Sequence, residues 1–171
     1  MLLKSKTEQL SLKTMDLGLA LSSYENWMSD PDTVSTYSWN VFPHETDAAQ
    51  YILERAPYLE SDRFFDCAVM QASQSIGEFT GSYSPVRNVI DAGFSIGSKH
   101  FDASMLELLL KEAFSELFAL THAESIQVVA GKNSRTIQVL EGCGFTASEE
   151  LFRFNEHTAV KEPTVRYVLH G

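Results

Sequence analysis

The thirteen residues from Asn133 to Phe145, NSRTIQVLEGCGF, constrain the fold of this chain more than any other segment. An apolar, β-rich run, ESIQVVAG, leads into them. Three of the residues then recur at the spacing of one helix face: Ile137, Leu140 and Cys143. Gly144 ends the predicted helix, because glycine adopts the left-handed C-terminal conformation without a Cβ penalty. The segment therefore predicts a strand, a helix capped by Asn133, and a second strand that opens at Phe145.

Length and composition indicate a single globular domain over residues 1–171. Hydrophobic residues make up 44% of the chain and charged residues 21%, a profile typical of folded rather than disordered proteins. No apolar run approaches the roughly 20 residues that a membrane-spanning helix needs, which predicts no membrane partner. Cys67 and Cys143 lie in apolar contexts without metal-ligand spacing, as is typical of reduced core cysteines in a cytoplasmic protein.

The formal net charge of -10 limits the classes of partner. It argues against nucleic acid, because phosphate binding needs a clustered basic surface and no such cluster of Lys and Arg is visible. An acidic surface attracts a cationic small molecule or a basic peptide over long range. The alternative interpretation is that the charge only keeps an acidic cytosolic protein soluble.

Hydrophobic periodicity predicts the element order β-α-α-β-β-β-α-β-α-β-β, an α+β fold around a central mixed sheet. Three closely spaced strands within 64–96 favour an antiparallel meander. The clearest amphipathic helix runs from about Ala103 to Leu120. The other predicted elements are helices near 17–30, 46–55 and 134–143 and strands near 7–15, 124–130, 150–155 and 165–170, together with a short helix around 33–37 that this order does not count.

The closing segment resembles that of the GNAT N-acetyltransferases, which reads N-x-x-S/T, a helix and then G-F. The matching residues are Asn133, Thr136, Gly144 and Phe145. The N-terminal half is most similar to the RimJ/RimL-like branch, which acetylates N-terminal amines of ribosomal proteins and a range of small amines. Further matches follow the order of that branch: Thr7, Glu8, Leu10, Leu12, Lys13, Asp30, Pro31, Val34, Trp39, Pro43, Ile76, Gly77, Gly93 and Phe94. The resemblance implies a three-layer α/β/α fold with a mixed, mostly antiparallel sheet.

The resemblance also implies acetyl-CoA as co-substrate, without a metal. In this fold, backbone amides of the fourth strand meet the pantetheine, and the following loop wraps the pyrophosphate at a helix N-terminus. The cofactor contacts that it implies here are Ser95, Ile96, Gly97, Ser98, Lys99, His100, Ser104, Asn133 and Thr136. Arg135, in the first turn of the last helix, is either a further phosphate contact or an ordinary surface residue.

The stretch from 97 to 105, GSKHFDASM, departs from the family loop, because it is shorter and has a single glycine. Asp102 lies where the family usually has a glycine or a basic residue. In one interpretation Lys99 serves as a phosphate counter-charge and Ser104 lies near the helix start. In the other, the stretch is a plain turn in which Asp102 or Ser104 caps the helix.

Acetyl transfer by direct attack needs an amide that polarises the thioester carbonyl and a base that accepts the amine proton. The resemblance puts the amide at Ser95 or Ile96 and the base at Asp91 or Glu78, although either carboxylate could simply face solvent on its strand. Many family members carry a tyrosine on the last helix that protonates the leaving thiolate, and register puts Leu140 there. Ser134, Thr136 or solvent would then supply that proton.

An aromatic loop lies where the fold closes over its acceptor, and its residues are Tyr37, Trp39, Phe42 and His44. Aromatic faces suit a cationic amine, but Trp39 and Phe42 could equally fill the edge of the core. The histidines lack the paired spacing of a metal site. The resemblance thus implies an N-acetyltransferase, monomeric or homodimeric, that acts on a small-molecule amine or a protein N-terminus. The alternative is a GNAT-fold binding or regulatory protein that has lost catalysis.

Overall fold

A computed structural model describes the backbone of residues 1–37, 40–132 and 134–171, and the side chains of these residues except 35–37. Seven strands form one sheet in the spatial order β1-β2-β3-β4-β5-β7-β6. Their bounds are β1 Leu10–Thr14, β2 Phe64–Gln71, β3 Gln74–Ser84, β4 Val89–Ile96, β5 Ser125–Gly131, β6 Thr146–Asn155 and β7 Val160–His170. Neighbouring strands are antiparallel except β4 and β5, which run parallel.

The α-helices of the described chain are α1 Ala20–Ser23, α2 Pro31–Tyr37, α3 Glu45–Arg55, α4 Ala103–Thr121 and α5 Thr136–Gly142. A 3-10 turn at Leu17–Leu19 precedes α1, and a wider π turn, Tyr24–Met28, follows it. The helix predicted over 17–30 is therefore three short helical pieces in succession. Further 3-10 turns occupy Ala56–Glu60 and Ser98–His100. No helix of the described residues is long and apolar enough to cross a membrane.

Alternate residues of β2 belong to different cores, which makes the fold three-layered. Phe65, Cys67 and Val69 pack in the larger core with α4 and α5. Ala68 and Met70 pack on the other face with the α1–α3 region. Because successive side chains of a strand point to opposite faces, one apolar strand can serve both layers. The α/β/α fold with a mostly antiparallel sheet, predicted from the sequence, is confirmed.

The last helix ends as the sequence predicts. Gly144 has φ +92°, in the region that favours glycine. The Phe145 amide donates to the carbonyl of Leu140 at 3.0 Å and the Gly144 amide to that of Glu141 at 2.9 Å, the paired bonds of a Schellman motif. Phe145 then stacks edge-on against Phe114 of α4, with ring centroids 5.0 Å apart. The G-F stop therefore both closes α5 and packs it onto the core.

The final hairpin is longer than predicted. The predicted strands near 150–155 and 165–170 extend to Thr146–Asn155 and Val160–His170. The first residues of β6, 146–150, are all exposed, because β6 lies at the edge of the sheet beside β7 alone. A strand without a buried face carries no alternation, so hydrophobic periodicity could not detect its beginning.

Gly77 of β3 tolerates no side chain. A Cβ at this position would overlap the carbonyl oxygen of Ser95 on β4, which is backbone and cannot rotate away. Gly77→Ala is therefore expected to destabilise the protein by about 1–3 kcal/mol, the typical effect of overpacking. Gly93→Ala is the matched control, since a Cβ at Gly93 meets nothing within 4 Å. Urea denaturation of both variants measures the difference, and equal stabilities would contradict the packing at Gly77.

Candidate active site

The two parallel strands at the centre of the sheet separate before they end. β4 and β5 pair only from Val89 opposite Ser125 to Ala92 opposite Val128. Beyond that point β4 continues beside β3 as far as Ile96, while β5 continues beside β7 as far as Gly131. The carboxyl halves of the two strands thus diverge and leave a cleft in the middle of the sheet.

The hydrogen-bond register decides which amides of β4 point into this cleft. Gly97 donates its amide to the carbonyl of Ile76 at 2.9 Å. Because amides alternate in direction along an antiparallel ladder, Ser95 turns its N–H toward β3, and Phe94 and Ile96 turn theirs toward β5. Of the two amides proposed from the sequence, this register turns that of Ser95 away from the cleft and that of Ile96 toward β5. Phe94, whose amide also faces β5, is a residue of the cavity wall. Ser95 still lines the cleft.

The cleft contains a cavity of about 160 Å³. Its walls come from β3, β4, β5, the start of α5 and one residue of β6: Glu78, Thr80, Gly93, Phe94, Ser95, Val128, Val129, Ala130, Gly131, Ser134, Thr136 and Arg153. Among the described residues, this lining combines backbone and hydroxyl groups with a single carboxyl group and a single guanidinium group. Such a cavity suits a polar reacting centre shielded by apolar walls.

Glu78 is the carboxyl group of this cavity. It lies on β3 directly opposite Ser95 and is 5% exposed. Burial, and then the negative charge of Asp66, raise its pKa to about 8, even though Arg55 lowers it. A carboxyl group whose pKa lies near neutrality is suited to accept and return a proton.

A buried polar cluster holds Glu78 in place from the side of α3. The Tyr51 hydroxyl donates to Glu78 Oε1 at 2.9 Å. Arg55 Nε donates to Asp66 Oδ2 at 2.6 Å and its Nη2 to Thr80 Oγ1 at 2.7 Å. Burial, followed by the charge of Glu78, raises the pKa of Tyr51, so its hydroxyl remains a donor. The cluster therefore fixes the carboxyl group in one orientation at the cavity wall.

One carboxylate oxygen of Asp66 lacks a hydrogen-bond donor among the described residues. Its Oδ1 is buried and accepts no hydrogen bond from the described residues. Glu78 lies diagonally across the ladder and within hydrogen-bonding reach of Asp66. A proton on Glu78 supplies the missing donor, which is consistent with the raised pKa of Glu78.

Solved structures with this architecture cover almost the entire chain. A GNAT-family acetyltransferase from Bacillus anthracis superimposes with a TM-score of 0.81 and 13% identity over 98% of each chain. RimL, a ribosomal L7/L12 α-N-protein acetyltransferase in complex with coenzyme A, gives a TM-score of 0.83 and 8% identity, covering 96% of this chain and 95% of RimL. This chain has the GNAT acetyltransferase fold. The sequence itself matches no family model and no curated protein.

A third solved structure of similar architecture is a complex with acetyl-CoA. The microcin C7 self-immunity acetyltransferase MccE, in complex with acetyl-CoA and AMP, has a TM-score of 0.84 and 12% identity, covering 96% of this chain and 94% of MccE. At such identities the likeness establishes the fold. Function in this GNAT-fold chain has to be argued from its own residues.

In this GNAT fold the stretch from 97 to 105 is a 3-10 turn followed by the start of α4. Ser98 is already engaged there: its hydroxyl donates to Asp30 Oδ2 at 2.5 Å and its amide to Thr33 Oγ1 at 2.8 Å. Burial would raise the pKa of Asp30, but the hydrogen bonds from Ser98, Thr33 and the Asp32 amide lower it below its ordinary value. Ser98 is thus tied to α2, beside a negative charge.

Asp102 caps α4, as one of the two interpretations of this stretch required. Its Oδ1 accepts a hydrogen bond from the Met105 amide at 3.0 Å. The other predicted phosphate contacts lie around it: Lys99 and Ser104 are exposed and His100 is half-buried. Gly97 ends β4 just before the turn.

Arg135 joins the start of α5 to the same turn. Its guanidinium lies 4.2 Å from the centroid of the Phe101 ring and donates to the Ser98 carbonyl at 3.3 Å. The contact brings the two halves of the predicted cofactor site together, one following β4 and the other following β5. Arg135 is exposed, so it remains accessible to an anion.

Two hydroxyl groups at the start of α5 line the cavity. Ser134 Oγ and Thr136 Oγ1 lie 2.7 Å apart and share a hydrogen bond. Leu140, one turn further along α5, is fully buried and has no proton to donate. Ser134 and Thr136, the two side chains predicted as proton donors, therefore both lie at the cavity wall. Asn133 lies outside the described residues.

Asp91, the other base proposed from the sequence, lies apart from this constellation. It is on the paired half of β4, opposite Gln127, and forms an exposed ion pair with Arg87. The cavity walls do not include it. Of the two predicted carboxylates, the structure brings only Glu78 to the cleft.

Beside Glu78 a second, larger cavity of about 560 Å³ opens on the α3 side. It is lined by Asn40, Val41, Phe42, Tyr51, Glu78 and Glu156. Phe42 also packs edge-on against Tyr51, with centroids 5.4 Å apart, so it both lines this cavity and closes the edge of the core. The side chain of Tyr37 and all of Trp39 lie outside the described residues. His44 is exposed and precedes α3.

Sequence reasoning missed most of the side chains that surround Glu78. Asp66 could have been noticed, since it is a carboxylate in the middle of the apolar run FFDCAVMQ. A buried acid in a strand calls for a partner, and Arg55 ends the predicted helix just before that strand. Arg153 gave no such signal, because its position depends on the pairing of β6 with β7.

Proposed function

We propose that this protein is an acetyl-CoA-dependent N-acetyltransferase that transfers the acetyl group directly to a primary amine. The observation that carries the proposal is the position of Glu78 at the split between β4 and β5. There a buried carboxyl group with a raised pKa faces the Phe94 amide side of the cleft and also borders the α3-side cavity. A base and an amide that polarises a carbonyl are the two groups that direct transfer requires.

Each residue of the site has its own role in the proposed reaction. The amine nitrogen attacks the thioester carbonyl carbon, the carbon–sulfur bond breaks, and the amine proton passes to Glu78, directly or through one water. The Phe94 amide stabilises the negative charge that develops on the carbonyl oxygen. Ser134, hydrogen-bonded to Thr136, returns a proton to the leaving sulfur from the start of α5. Tyr51 and Arg55 keep Glu78 oriented throughout.

The residues around the α4 start fit the phosphates of CoA in part. Lys99 and Arg135 are exposed cations beside the 3-10 turn, and the N-terminus of α4 favours an anion. Asp30 opposes them, because its carboxylate holds Ser98. We therefore assign the phosphates to Lys99, Arg135 and the α4 start, and leave Ser98 as a structural residue of the turn.

The acceptor enters from the α3-side cavity bordered by Phe42, Tyr51, Glu78 and Glu156. RimL acts on the α-amine of a ribosomal protein, and a small-molecule amine or a protein N-terminus fits the same proposal for this chain. The aromatic rings of Phe42 and Tyr51 suit the apolar part of such an acceptor. The test is incubation with acetyl-CoA and a panel of amines, followed by thiol release and mass spectrometry. Thiol release without an acetylated amine would overturn the assignment.

The activity is expected to depend on pH through Glu78. Only the deprotonated carboxylate accepts a proton, so kcat/KM rises as the pH increases through about 8 and is constant above it. An aryl hydrazide, whose nitrogen is neutral across this range, removes the contribution of the acceptor. A profile that is flat from pH 6 to pH 9 would show that Glu78 is not the base.

Two features favour the alternative, a GNAT-fold binding protein without catalysis. Asp30 holds Ser98 in the turn, and Leu140 occupies the position of the family tyrosine. Such a protein would show neither thiol release nor acetylated product with any amine of the panel. The binding of CoA itself then decides whether the cofactor site persists.

A further inference from the structure

Arg153 belongs to β6, an edge strand of the sheet, and places its guanidinium group at the cleft. It lies on β6, opposite Glu162 of β7, and lines the same 160 Å³ cavity as Glu78 and Ser95. A cavity of this size brings the two side chains close enough for one small molecule to touch both. The carboxyl group of Glu78 and the guanidinium group of Arg153 would select different chemical groups at the two ends of such a molecule.

The guanidinium of Arg153 has one buried donor without a partner among the described residues. Its Nε is buried and makes no hydrogen bond within the described part of the chain. Among the same residues no carboxylate lies within 4.0 Å of it, whereas Arg166, on the same face of the sheet, pairs with Glu149 at 2.5 Å. A buried, charged donor without an acceptor is costly, so its retention at a cavity wall indicates a ligand.

A second unsatisfied donor adjoins the first. Thr164 of β7 is 1% exposed, and its Oγ1 finds no hydrogen-bond partner among the described residues. Thr164 lies opposite Leu151 of β6 and Gly131 of β5, so it is the diagonal neighbour of Arg153 on the same face. Thr164 is not among the described residues that line the cavity, so the donor that reaches the cavity is the guanidinium of Arg153, which matches the oxygens of a carboxylate or a phosphoryl group.

We infer that the acceptor carries an anionic oxygen group next to its amine, and that Arg153 binds this group while Glu78 faces the amine. The inference rests on the proposed function and narrows it to a substrate class, amino acids and other amines with an adjacent carboxylate or phosphoryl group. It opposes one of the two interpretations of the net charge, the one in which the acidic surface attracts a cationic small molecule or a basic peptide.

The direct test uses matched acceptors that differ only in the anionic group. Phenylalanine is compared with phenethylamine and with phenylalaninamide, and phosphoethanolamine with ethanolamine, while spermidine represents the polycations. The wild type is expected to show at least 10-fold higher kcat/KM for the anionic member of the preferred pair. Equal rates within every pair, or spermidine as the best acceptor, would overturn the inference.

Variants assign the preference to Arg153. Arg153→Met is expected to raise the KM of the anionic acceptor 10- to 100-fold and abolish the preference, while Arg153→Lys retains part of it. Arg166→Met is the matched control and keeps the preference, because Arg166 lies outside the cavity walls. An Arg153→Met variant that weakens acetyl-CoA binding but keeps the acceptor preference would make Arg153 a cofactor contact and overturn the inference.

A binding measurement separates this inference from the proposed enzyme activity. The Nε–H resonance of Arg153, identified by its loss in Arg153→Lys, is followed by NMR while phenylalanine or phosphoethanolamine is added to the wild type. A shift with either anionic amine, but not with phenethylamine or ethanolamine, supports the inference even if no acetyl transfer occurs. No shift with both anionic amines overturns it, whatever the outcome of the acetyl-CoA assays.

Discussion

Replacing Glu78 with glutamine is expected to lower kcat/KM for acetyl transfer by about 10²- to 10⁴-fold, the range that a general base contributes. The glutamine side chain keeps the size of the original one and can still accept the hydrogen bond from Tyr51, but it cannot take a proton. The dependence of kcat/KM on pH near 8 should disappear in the same variant. Steady-state kinetics with the aryl hydrazide measures both effects.

A control variant and a binding measurement show whether the lost activity comes from the missing base. Asp91→Asn removes the other carboxylate proposed from the sequence, which pairs with Arg87 outside the cavity, and should keep wild-type activity. If Asp91→Asn loses the activity and Glu78→Gln retains it, the base has been assigned to the wrong strand. The affinity for acetyl-CoA should be unchanged in both variants.

The free energy of unfolding of Glu78→Gln should also differ from that of the wild type. The direction of the difference follows from the pKa of Glu78. In the folded protein the pKa of Glu78 is raised from 4.5 to about 8, so the folded state binds more protons than the unfolded state between these values. Wild-type stability therefore decreases as the pH rises from about 4.5 through 8. The glutamine variant lacks this loss, and it should be the more stable protein at pH 9 by about 1–3 kcal/mol.

Replacing Arg55 with methionine is expected to destabilise the fold by about 3–5 kcal/mol, as is typical when one partner of a buried ion pair is removed. Arg55 Nε lies 2.6 Å from Asp66 Oδ2, and the Asp66 side chain is fully buried. Methionine preserves most of the apolar stem, so the effect isolates the lost charge and hydrogen bonds. Urea denaturation at pH 7 measures it.

Two further variants serve as controls, one at an exposed ion pair and one that should restore part of the lost stability. Arg87→Met breaks the exposed pair with Asp91 and should cost at most about 1 kcal/mol. Adding Asp66→Asn to Arg55→Met removes the uncompensated charge and should restore part of the stability. Equal losses for Arg55→Met and Arg87→Met would contradict the buried cluster.

The fold could be predicted because its signals are local. The apolar face of α4, the meander within 64–96 and the Gly144-Phe145 stop each depend on residues close in sequence. Their order was then enough to indicate the GNAT fold. Glu78 and Ser134 could be proposed as site residues in the same way, because they stand next to recognisable motifs.

The rest of the candidate site depends on contacts between distant segments. Ser98 is held by Asp30, 68 residues earlier in the chain, and no local pattern indicates that bond. Arg153 reaches the cleft only because the final hairpin pairs in one register, and a shift by one residue would turn it to the other face. The choice of Phe94 rather than Ser95 as amide donor likewise follows from register, which periodicity alone does not determine.

The proposed function requires that the cleft between β4 and β5 binds acetyl-CoA. Isothermal titration of acetyl-CoA into the wild type and Gly93→Val tests this directly, because a side chain at Gly93 projects into open space at the cavity wall and should not disturb the fold. Saturable binding to the wild type, weakened at least about 10-fold in Gly93→Val at unchanged stability, is the predicted result. No heat and no thermal shift with the wild type at millimolar acetyl-CoA would contradict it.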